Sequence, residues 1–274
     1  MFSVVVPAYN HAEFLPQAIV SALWSPLVTE VLILDDGSRD RSAAVAARLA
    51  ATSGGRVRDL TPKGGGNRGA HYRLNELVEA AKCEWVAVLN SDDVFVRGRF
   101  ERMVANPGFS RSEFVFGHLL FINKRGTLIG AKLGPASPGV PFPAAFQPQR
   151  MVAEGNLLDL LAHQNFVATT SNMVFRKSLH SRVGGFAAYR YVHDWDFALR
   201  AIILGEALYV QNFLTAYRFH SGNTISVSQK KVDIEAAALF ARLLSHYPTL
   251  LDRRGFALAL QPNANGVFVQ RDQL

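Results

Sequence analysis

The first hundred residues alternate between short apolar runs and amphipathic segments. The apolar runs predict β-strands at residues 3–9, 30–36, 56–60 and 84–89. The amphipathic segments between them predict helices at residues 13–23, 41–51 and 70–81. Because strands and helices alternate, we predict an α/β domain whose parallel strands are joined by right-handed crossovers.

The second half of the chain is less regular. Apolar segments predict strands at residues 114–122 and 207–220, and a strand that runs into a helix at residues 171–179. Helical patterns cover residues 156–163, 193–205 and 232–253. Residues 133–148 contain five prolines. This content predicts a loop, which is either a plain connector or a mobile flap.

Polar residues gather where the strands of the first half end. In an open parallel sheet, ligands bind beyond the carboxyl ends of the strands, so these residues predict a binding site at one edge. They are Pro7, Tyr9 and Asn10 at the first strand, Asp35 and Asp36 at the second, Asn67 and Gly69 in the glycine-rich loop after the third, and Asn90, Ser91, Asp92 and Asp93 at the fourth.

The adjacent carboxylates of Asp92 and Asp93 repel each other unless something positive lies between them. Mg²⁺ and Mn²⁺ prefer oxygen ligands, and such ions commonly bridge protein carboxylates to the phosphates of a substrate. The pair therefore predicts a divalent-metal anchor for a diphosphate. The alternative is an ordinary turn, because Ser-Asp-Asp is also favourable turn sequence.

Composition and motifs narrow the classes of function. The 274 residues are 49% hydrophobic, and their single cysteine, Cys83, excludes an internal disulfide. No run of about 18 apolar residues predicts a membrane span, and no signal peptide is visible, so we expect a cytoplasmic protein. The net charge of +7 favours anionic partners, but no nucleic-acid motif accompanies it, and we expect no nucleic-acid partner.

A P-loop motif is absent. Gly64, Gly66 and Gly69 follow the third strand rather than the first, which excludes the dinucleotide fingerprint.

Several ordered motifs resemble those of the family 2 glycosyltransferases, which have the GT-A fold. They are SVVVPAYN, VLILDDGS, NRGAHYRLN, VAVLNSDDVF, VGGF, HDWDFALR and YRFHSGNTIS. The resemblance covers roughly residues 1–226. It implies a Rossmann-like, mostly parallel central sheet with helices on both faces and a mixed acceptor-side region. It divides the chain into a nucleotide-sugar-binding half (1–110), an acceptor-binding and catalytic-base half of the same domain (111–228), and a C-terminal helical tail (229–274).

The resemblance also implies an activity. It predicts inverting transfer of a sugar from a nucleotide-diphospho-sugar to a hydroxyl-bearing glycan or lipid-linked acceptor, with Mn²⁺ or Mg²⁺ as cofactor. The product would be a bacterial surface polysaccharide or glycolipid, made at the inner face of the membrane with loose peripheral contact. Two alternatives stay open, a relative that binds nucleotide sugars without turnover and a nucleotidyltransferase. The segment PAYNHAEF argues against the second, because a nucleotidyltransferase predicts a glycine- and arginine-rich loop there.

Individual roles follow from the matching positions. Asp194 is the expected catalytic base, with a helix N-cap as the alternative. Asp92 and Asp93 are the expected metal ligands, joined by His220, which is otherwise a satisfied strand-end histidine. The expected nucleotide-sugar ligands are Pro7, Tyr9, Asn10, Asp35, Asp36, Asn67, Gly69, Arg73, Asn90, Ser91 and Asp92.

Three positions complete this interpretation. Asn90 replaces the first aspartate of the family's Asp-x-Asp motif, and Leu74 stands where many relatives have arginine. Asp196 is expected to form an ordinary surface pair with Arg200, four residues further along the helix.

Overall fold

The structure is a computed structural model that describes residues 1–64, 66–136, 142, 146–223 and 229–253. The strands of this part are β1 (Phe2–Ala8), β2 (Val28–Asp35), β3 (Val57–Asp59), β4 (Trp85–Val88), β5 (Val94–Phe95), β6 (Phe114–Asn123), β7 (Leu128–Lys132), β8 (Val174–Arg176) and β9 (Ala207–Phe219). The helices are α1 (Leu15–Leu23), α2 (Ser42–Thr52), α3 (Ala70–Ala80), α4 (Arg99–Val104), α5 (Pro148–Ala153), α6 (Leu157–His163), α7 (Lys177–Val183), α8 (His193–Leu204) and α9 (Gln229–His246).

The described strands form one sheet in the order β3-β2-β1-β4-β8-β6-β9-β5, with β7 paired to β6. The first four strands in this order are parallel to one another, as their buried apolar runs predict. Beyond β4 the sheet becomes mixed. Strand β8 is antiparallel to both β4 and β6, whereas β9 is parallel to β6 and antiparallel to β5. The predicted α/β sheet with a mixed second half is confirmed.

Helices cover both faces of the sheet because successive strand residues point to opposite faces. Val5 belongs to a core cluster with apolar residues of α3, α6, α7, α8 and α9. Its neighbours Val4 and Val6 belong to a second cluster with residues of α1, α2 and α4. Helix α9 joins the first layer through Phe240, whose ring lies 5.4 Å from that of Trp195. No helix in the described segments is both long and apolar enough to cross a membrane.

The sequence pattern did not predict several short strands and helices. Strand β5 has two residues, too few to show a period, and β7 has an exposed Leu128 and Ile129 where a half-buried strand would alternate. Helices α4 and α5 have six residues each, which is less than two turns. The proline-rich stretch includes a 3₁₀ turn at Gly134–Ala136 and the start of α5, while the choice between connector and flap falls mainly on residues outside the described ranges.

The expected surface pair between Asp196 and Arg200 is instead a buried ion pair. Asp196 is 0% exposed, and Arg200 is 5% exposed. Arg200 donates from Nε and Nη2 to Asp196 Oδ2, and its other hydrogen bonds reach the backbone carbonyls of Val183 and Gly185. The prediction was wrong because α8 is covered on this side by the loop after α7, which helical spacing alone cannot reveal.

Removing one partner of this pair should destabilise the fold. We predict that Asp196→Ala lowers the free energy of unfolding by about 3–5 kcal/mol, because it leaves the Arg200 charge buried without a counter-ion. Urea denaturation measures the change. The matched control is Arg150→Ala in the solvent-exposed Arg150–Glu154 pair, which has the same spacing and should change stability within fitting error. Equal effects of the two variants would contradict the burial of Asp196.

Candidate active site

The carboxyl ends of β1, β2 and β4 meet at one edge of the sheet. Ala8 at the end of β1 is paired with Asp35 at the end of β2, and Val5 is paired with Val88 of β4. Because these strands are parallel, the residues that follow them lie together. Tyr9 is 40% exposed at this edge. The predicted clustering of polar residues at the strand ends is therefore present in the structure.

A group of two histidines and one carboxylate lies at this edge. Asp92 follows β4, and His220 follows β9; Nε2 of His220 is 3.0 Å from Oδ2 of Asp92. Nδ1 of His11, in the loop after β1, is 3.9 Å from the other carboxylate oxygen. One ligand atom from each of the three residues lies within 4.8 Å of the others. Since ligands lie about 2.0–2.4 Å from a bound ion, one divalent ion fits among them.

Neighbouring side chains hold both histidines in place. The Ser91 hydroxyl is 2.8 Å from Nδ1 of His11, and Asn223 Oδ1 accepts the backbone N–H of His220. The ring of Phe14 packs against both imidazoles, at 5.9 Å from His11 and 4.9 Å from His220. Burial lowers the pKa of His11, although the Asp92 charge opposes this shift. A lowered pKa favours the neutral imidazole, which is the form that binds metal ions.

Asp93 faces the protein interior and lies outside this group. It is 0% exposed, and its Oδ1 accepts the backbone N–H of Arg218, while Oδ2 accepts the Ser171 hydroxyl at 2.6 Å. Burial raises the pKa of Asp93 well above its usual range, and the charge of Asp92 raises it further. The prediction of Asp93 as a metal ligand therefore needs correction, because both of its oxygens are occupied by donors of the protein.

Asn90 joins the end of β4 to a 3₁₀ turn at Thr170–Asn172. Its amide nitrogen donates to Thr169 Oγ1 at 3.0 Å, and its amide oxygen accepts the Thr170 hydroxyl at 2.8 Å. Its backbone N–H donates to the Ser171 hydroxyl. Both ends of the Asn90 amide are thus used within the protein. This network makes Asn90 a link between β4 and the 3₁₀ turn, and its contact with a nucleotide sugar stays a prediction.

A buried arginine, Arg99, also stabilises the 3₁₀ turn at Thr170–Asn172. Nη1 of Arg99 donates to the carbonyl of Ser171 at 2.8 Å and to the hydroxyl of Thr215. Its guanidinium carbon lies 4.0 Å from the centre of the Phe95 ring. Burial lowers the pKa of Arg99 to about 9. The turn that holds Asp93 and Asn90 is therefore fixed from the interior.

Asp36, which follows β2, holds the glycine-rich loop in place. Asp36 accepts the backbone N–H groups of Arg68 and Gly69, both at 2.8 Å, and it accepts Nε of Arg73 at 2.7 Å. Arg73 is 2% exposed and also donates to Glu76 and to the carbonyl of Gly66. The prediction that Arg73 binds the nucleotide sugar therefore needs correction, since its donors hold Asp36 and the loop instead.

The remaining predicted nucleotide ligands differ in accessibility. Asn10 and Asn67 are exposed, whereas Pro7 is buried in β1 opposite Leu34. Asp35 is buried and accepts both the backbone N–H and the hydroxyl of Ser38.

Asp194 lies in the first turn of α8 and is 9% exposed. Its Oδ1 accepts the backbone N–H of Trp195 at 2.7 Å, and Asn165 Nδ2 is 3.3 Å from Oδ2. Burial raises the pKa of Asp194, and the neighbouring His193 partly opposes this shift. The N-cap position belongs to Val192, which makes no side-chain capping bond, so the alternative of Asp194 as the N-cap is excluded.

Comparison with known proteins decides the family. The model described as Glycosyl transferase family 2 matches residues 3–184 of this chain. The chain belongs to glycosyl transferase family 2. The family assignment agrees with the resemblance seen in the sequence, and it makes the protein a transferase.

Two curated relatives of this family 2 chain have names that refer to polysaccharide synthesis. The succinoglycan biosynthesis protein ExoU of Rhizobium meliloti is 25% identical over 85% of this chain and 66% of its own length. ExoO of the same organism is 36% identical over 44% of this chain and 34% of its own length. The chain thus spans just under two thirds of ExoU and a smaller share of ExoO.

Solved structures share the GT-A architecture. S. aureus TarS 1–349 in complex with UDP-GlcNAc has a TM-score of 0.61 at 15% identity, covering 94% of this chain and 79% of TarS 1–349. The mannosyltransferase PcManGT of Pyrobaculum calidifontis, in complex with GDP-Man and Mn²⁺, has a TM-score of 0.56 at 16% identity, covering 94% and 73%. At these identities the likeness concerns the fold.

The sequence analysis of this family 2 chain did not identify two residues of the site, His11 and Asn165. His11 directly follows Tyr9 and Asn10 in the loop after β1, so its position at a strand end was a usable signal. Asn165 carried no such signal, because only folding brings the segment before the 3₁₀ turn against α8. His220 was identified, and the structure places it beside Asp92.

The geometry predicts different effects for the two adjacent aspartates. We expect Asp92→Asn, His220→Ala and His11→Ala each to weaken Mn²⁺ binding about tenfold or more, because each variant removes a ligand. Asp93→Asn is the matched control and should keep the Mn²⁺ Kd within about threefold. Isothermal titration with Mn²⁺ in the presence of UDP measures these constants. Unchanged binding in His11→Ala would remove His11 from the site.

Proposed function

We propose that this protein is an inverting, metal-dependent glycosyltransferase that moves a sugar from a nucleotide-diphospho-sugar to a hydroxyl acceptor. The observation that supports it best is the group of His11, Asp92 and His220, whose ligand atoms lie within 4.8 Å of one another at the edge where the parallel strands end. A divalent ion held there would lie where an open parallel sheet binds its ligands, and it would stabilise the leaving diphosphate of glycosyl transfer.

Asp194 has the properties of a general base. A sugar hydroxyl is a poor nucleophile until a base takes its proton as attack proceeds. In the proposed step the acceptor oxygen forms a bond to the anomeric carbon, its proton passes to the Asp194 carboxylate, and the bond from that carbon to the diphosphate breaks. The nucleoside diphosphate leaves with the bonding electrons. One displacement inverts the anomeric centre, so no enzyme nucleophile is required.

Asp92, His220 and His11 would hold the divalent cation. When bound, the ion supplies positive charge that stabilises the leaving diphosphate. Two imidazole nitrogens in the ligand set favour a first-row transition ion such as Mn²⁺ over Mg²⁺, which prefers oxygen ligands alone. The Mn²⁺ in the PcManGT complex supports the same choice.

The nucleotide would lie over the ends of β1 and β2. Tyr9 is exposed directly after Ala8, which is paired with Asp35 at the end of β2, and the loop at Gly69 is fixed by Asp36. The complexes of TarS with UDP-GlcNAc and of PcManGT with GDP-Man support a nucleotide-sugar donor.

The acceptor is proposed to be a glycan under assembly, free or lipid-linked. The names of ExoU and ExoO, both succinoglycan biosynthesis proteins, support synthesis of a bacterial polysaccharide. The net charge of +7 would favour encounter with an anionic lipid carrier at the inner face of the membrane.

Replacing the proposed base should separate binding from turnover. We predict that Asp194→Asn lowers kcat for transfer about 10²–10⁴-fold while the Kd for the nucleotide sugar changes little, because the base acts only on the acceptor proton. Transfer from UDP-, GDP- and dTDP-sugars with Mn²⁺ measures the rate, and NMR of the product reports the anomeric configuration. Full turnover in Asp194→Asn would refute the base assignment. Tight donor binding without turnover in the wild type would favour the non-catalytic alternative.

The pH profile should reflect the burial of Asp194. A base must be ionised, so activity is present above its pKa and is lost as the pH falls through it. Because burial raises this pKa, the acid limb of kcat/KM should lie above the range of an ordinary aspartate. Asn165→Ala removes a donor that stabilises the ionised form, so it should move the acid limb to higher pH. A limb that stays in place or moves to lower pH would contradict this coupling.

A further inference from the structure

Three aromatic rings form a cluster at the carboxyl ends of β6 and β9. Phe121 lies 6.3 Å from Tyr217 and 5.2 Å from Phe219, and the last two rings lie 5.1 Å apart. All three contacts are edge-to-face. We refer to Phe121, Tyr217 and Phe219 as the aromatic triad.

The aromatic triad is not part of the fully buried core. Phe114 and Phe116, at the other end of β6, are 0% exposed. Phe121, Tyr217 and Phe219 are all only partly buried. Apolar rings that stay accessible at the ligand-binding edge of a sheet are available to contact a ligand.

Contacts through β7 join the strand of the triad to the candidate base. Leu119, two residues before Phe121 on β6, is paired with Lys132 of β7. The Lys132 ammonium donates to the carbonyl of Asn165, whose side-chain amide is 3.3 Å from Asp194. This chain of contacts joins the triad's strand to the base.

On its other side the triad is joined to the candidate metal group. The Tyr217 hydroxyl accepts a hydrogen bond from Asn223 Nδ2 at 3.1 Å. Oδ1 of the same Asn223 accepts the backbone N–H of His220, which contacts Asp92. Chains of contacts therefore join the triad both to the proposed base and to the proposed position of the leaving diphosphate, and the acceptor has to reach both.

We infer that the aromatic triad binds the terminal pyranose ring of the acceptor. A pyranose with equatorial hydroxyls, such as β-glucose, has C–H groups on its ring faces, and these pack on aromatic rings while the hydroxyls stay free at the ring edge. A sugar held in this way would present an edge hydroxyl toward Asp194. The inference rests on the proposed glycosyl transfer, and it adds that the acceptor is a pyranoside with an equatorial hydroxyl pattern.

Sugar binding can be measured without turnover. The experiment uses the full chain with UDP and Mn²⁺ and records saturation-transfer NMR with cellotetraose, laminaritetraose and maltotetraose, with sorbitol as a polyol that has no pyranose ring. The variants are Phe121→Leu and Phe219→Leu, which keep apolar bulk and remove the ring. Phe213→Leu is the matched control, since Phe213 is a half-buried aromatic residue on the same strand that pairs with His118 instead.

We expect the wild type to bind at least one tetrasaccharide and not sorbitol. Each triad variant should weaken that binding about five- to tenfold, while Phe213→Leu leaves it unchanged. Hydrolysis of the donor by water is recorded for every variant, so that an effect on the donor site is separated from an effect on acceptor binding. Unchanged oligosaccharide binding in both triad variants, or no binding of any tetrasaccharide to the wild type, would overturn the inference. Absence of donor binding and hydrolysis in the wild type would instead count against the proposed transfer.

Discussion

The burial of one of two adjacent carboxylates is the constraint on which the site depends. Asp93 turns inward, where Ser171 and the backbone of Arg218 satisfy its oxygens. Asp92 is then directed to the other side of the chain, toward His220. Removing a carboxylate from water is costly unless hydrogen bonds replace the lost hydration. Asp93 therefore requires the 3₁₀ turn and the end of β9 to be in place, and the site forms only with the fold.

Arg218 connects this constraint to the surrounding elements. It is 1% exposed, and its Nε donates to the carbonyl of Asp92 at 2.7 Å. Its other nitrogens donate to Gln17 on α1 and to the carbonyls of Asn123 and Lys124 at the end of β6. One buried guanidinium thus fixes the first helix, the β6–β7 connection and the backbone of the candidate metal ligand. His11, Asp92 and His220 are far apart in sequence. They form one group because the elements that carry them meet at Arg218 and Asp93.

The sequence predicted the frame of the site because strand patterning is local. Apolar runs located β1, β2 and β4, and the rule that ligands bind at parallel strand ends placed Asp36 and Asp92 at the edge. The direction of each side chain depends on long-range contacts. The motif places Asp92 at the metal position, but the local pattern does not show that Asp93 turns inward, because the partners that bury Asp93 come from residues 171 and 218. Arg73 and Arg200 were misread for the same reason, because the local pattern does not show which loop covers each of them. The glycine-rich loop packs on Arg73, and the loop after α7 packs on Arg200.

A crystal of the protein soaked with UDP and Mn²⁺ would test the central claim most directly, through an anomalous difference map at the manganese edge. The account predicts one peak about 2.0–2.4 Å from Asp92, His220 and His11, with the Asp93 side chain still bonded to Ser171 and Arg218. A peak coordinated by Asp93, or one that lacks both histidines, would contradict it.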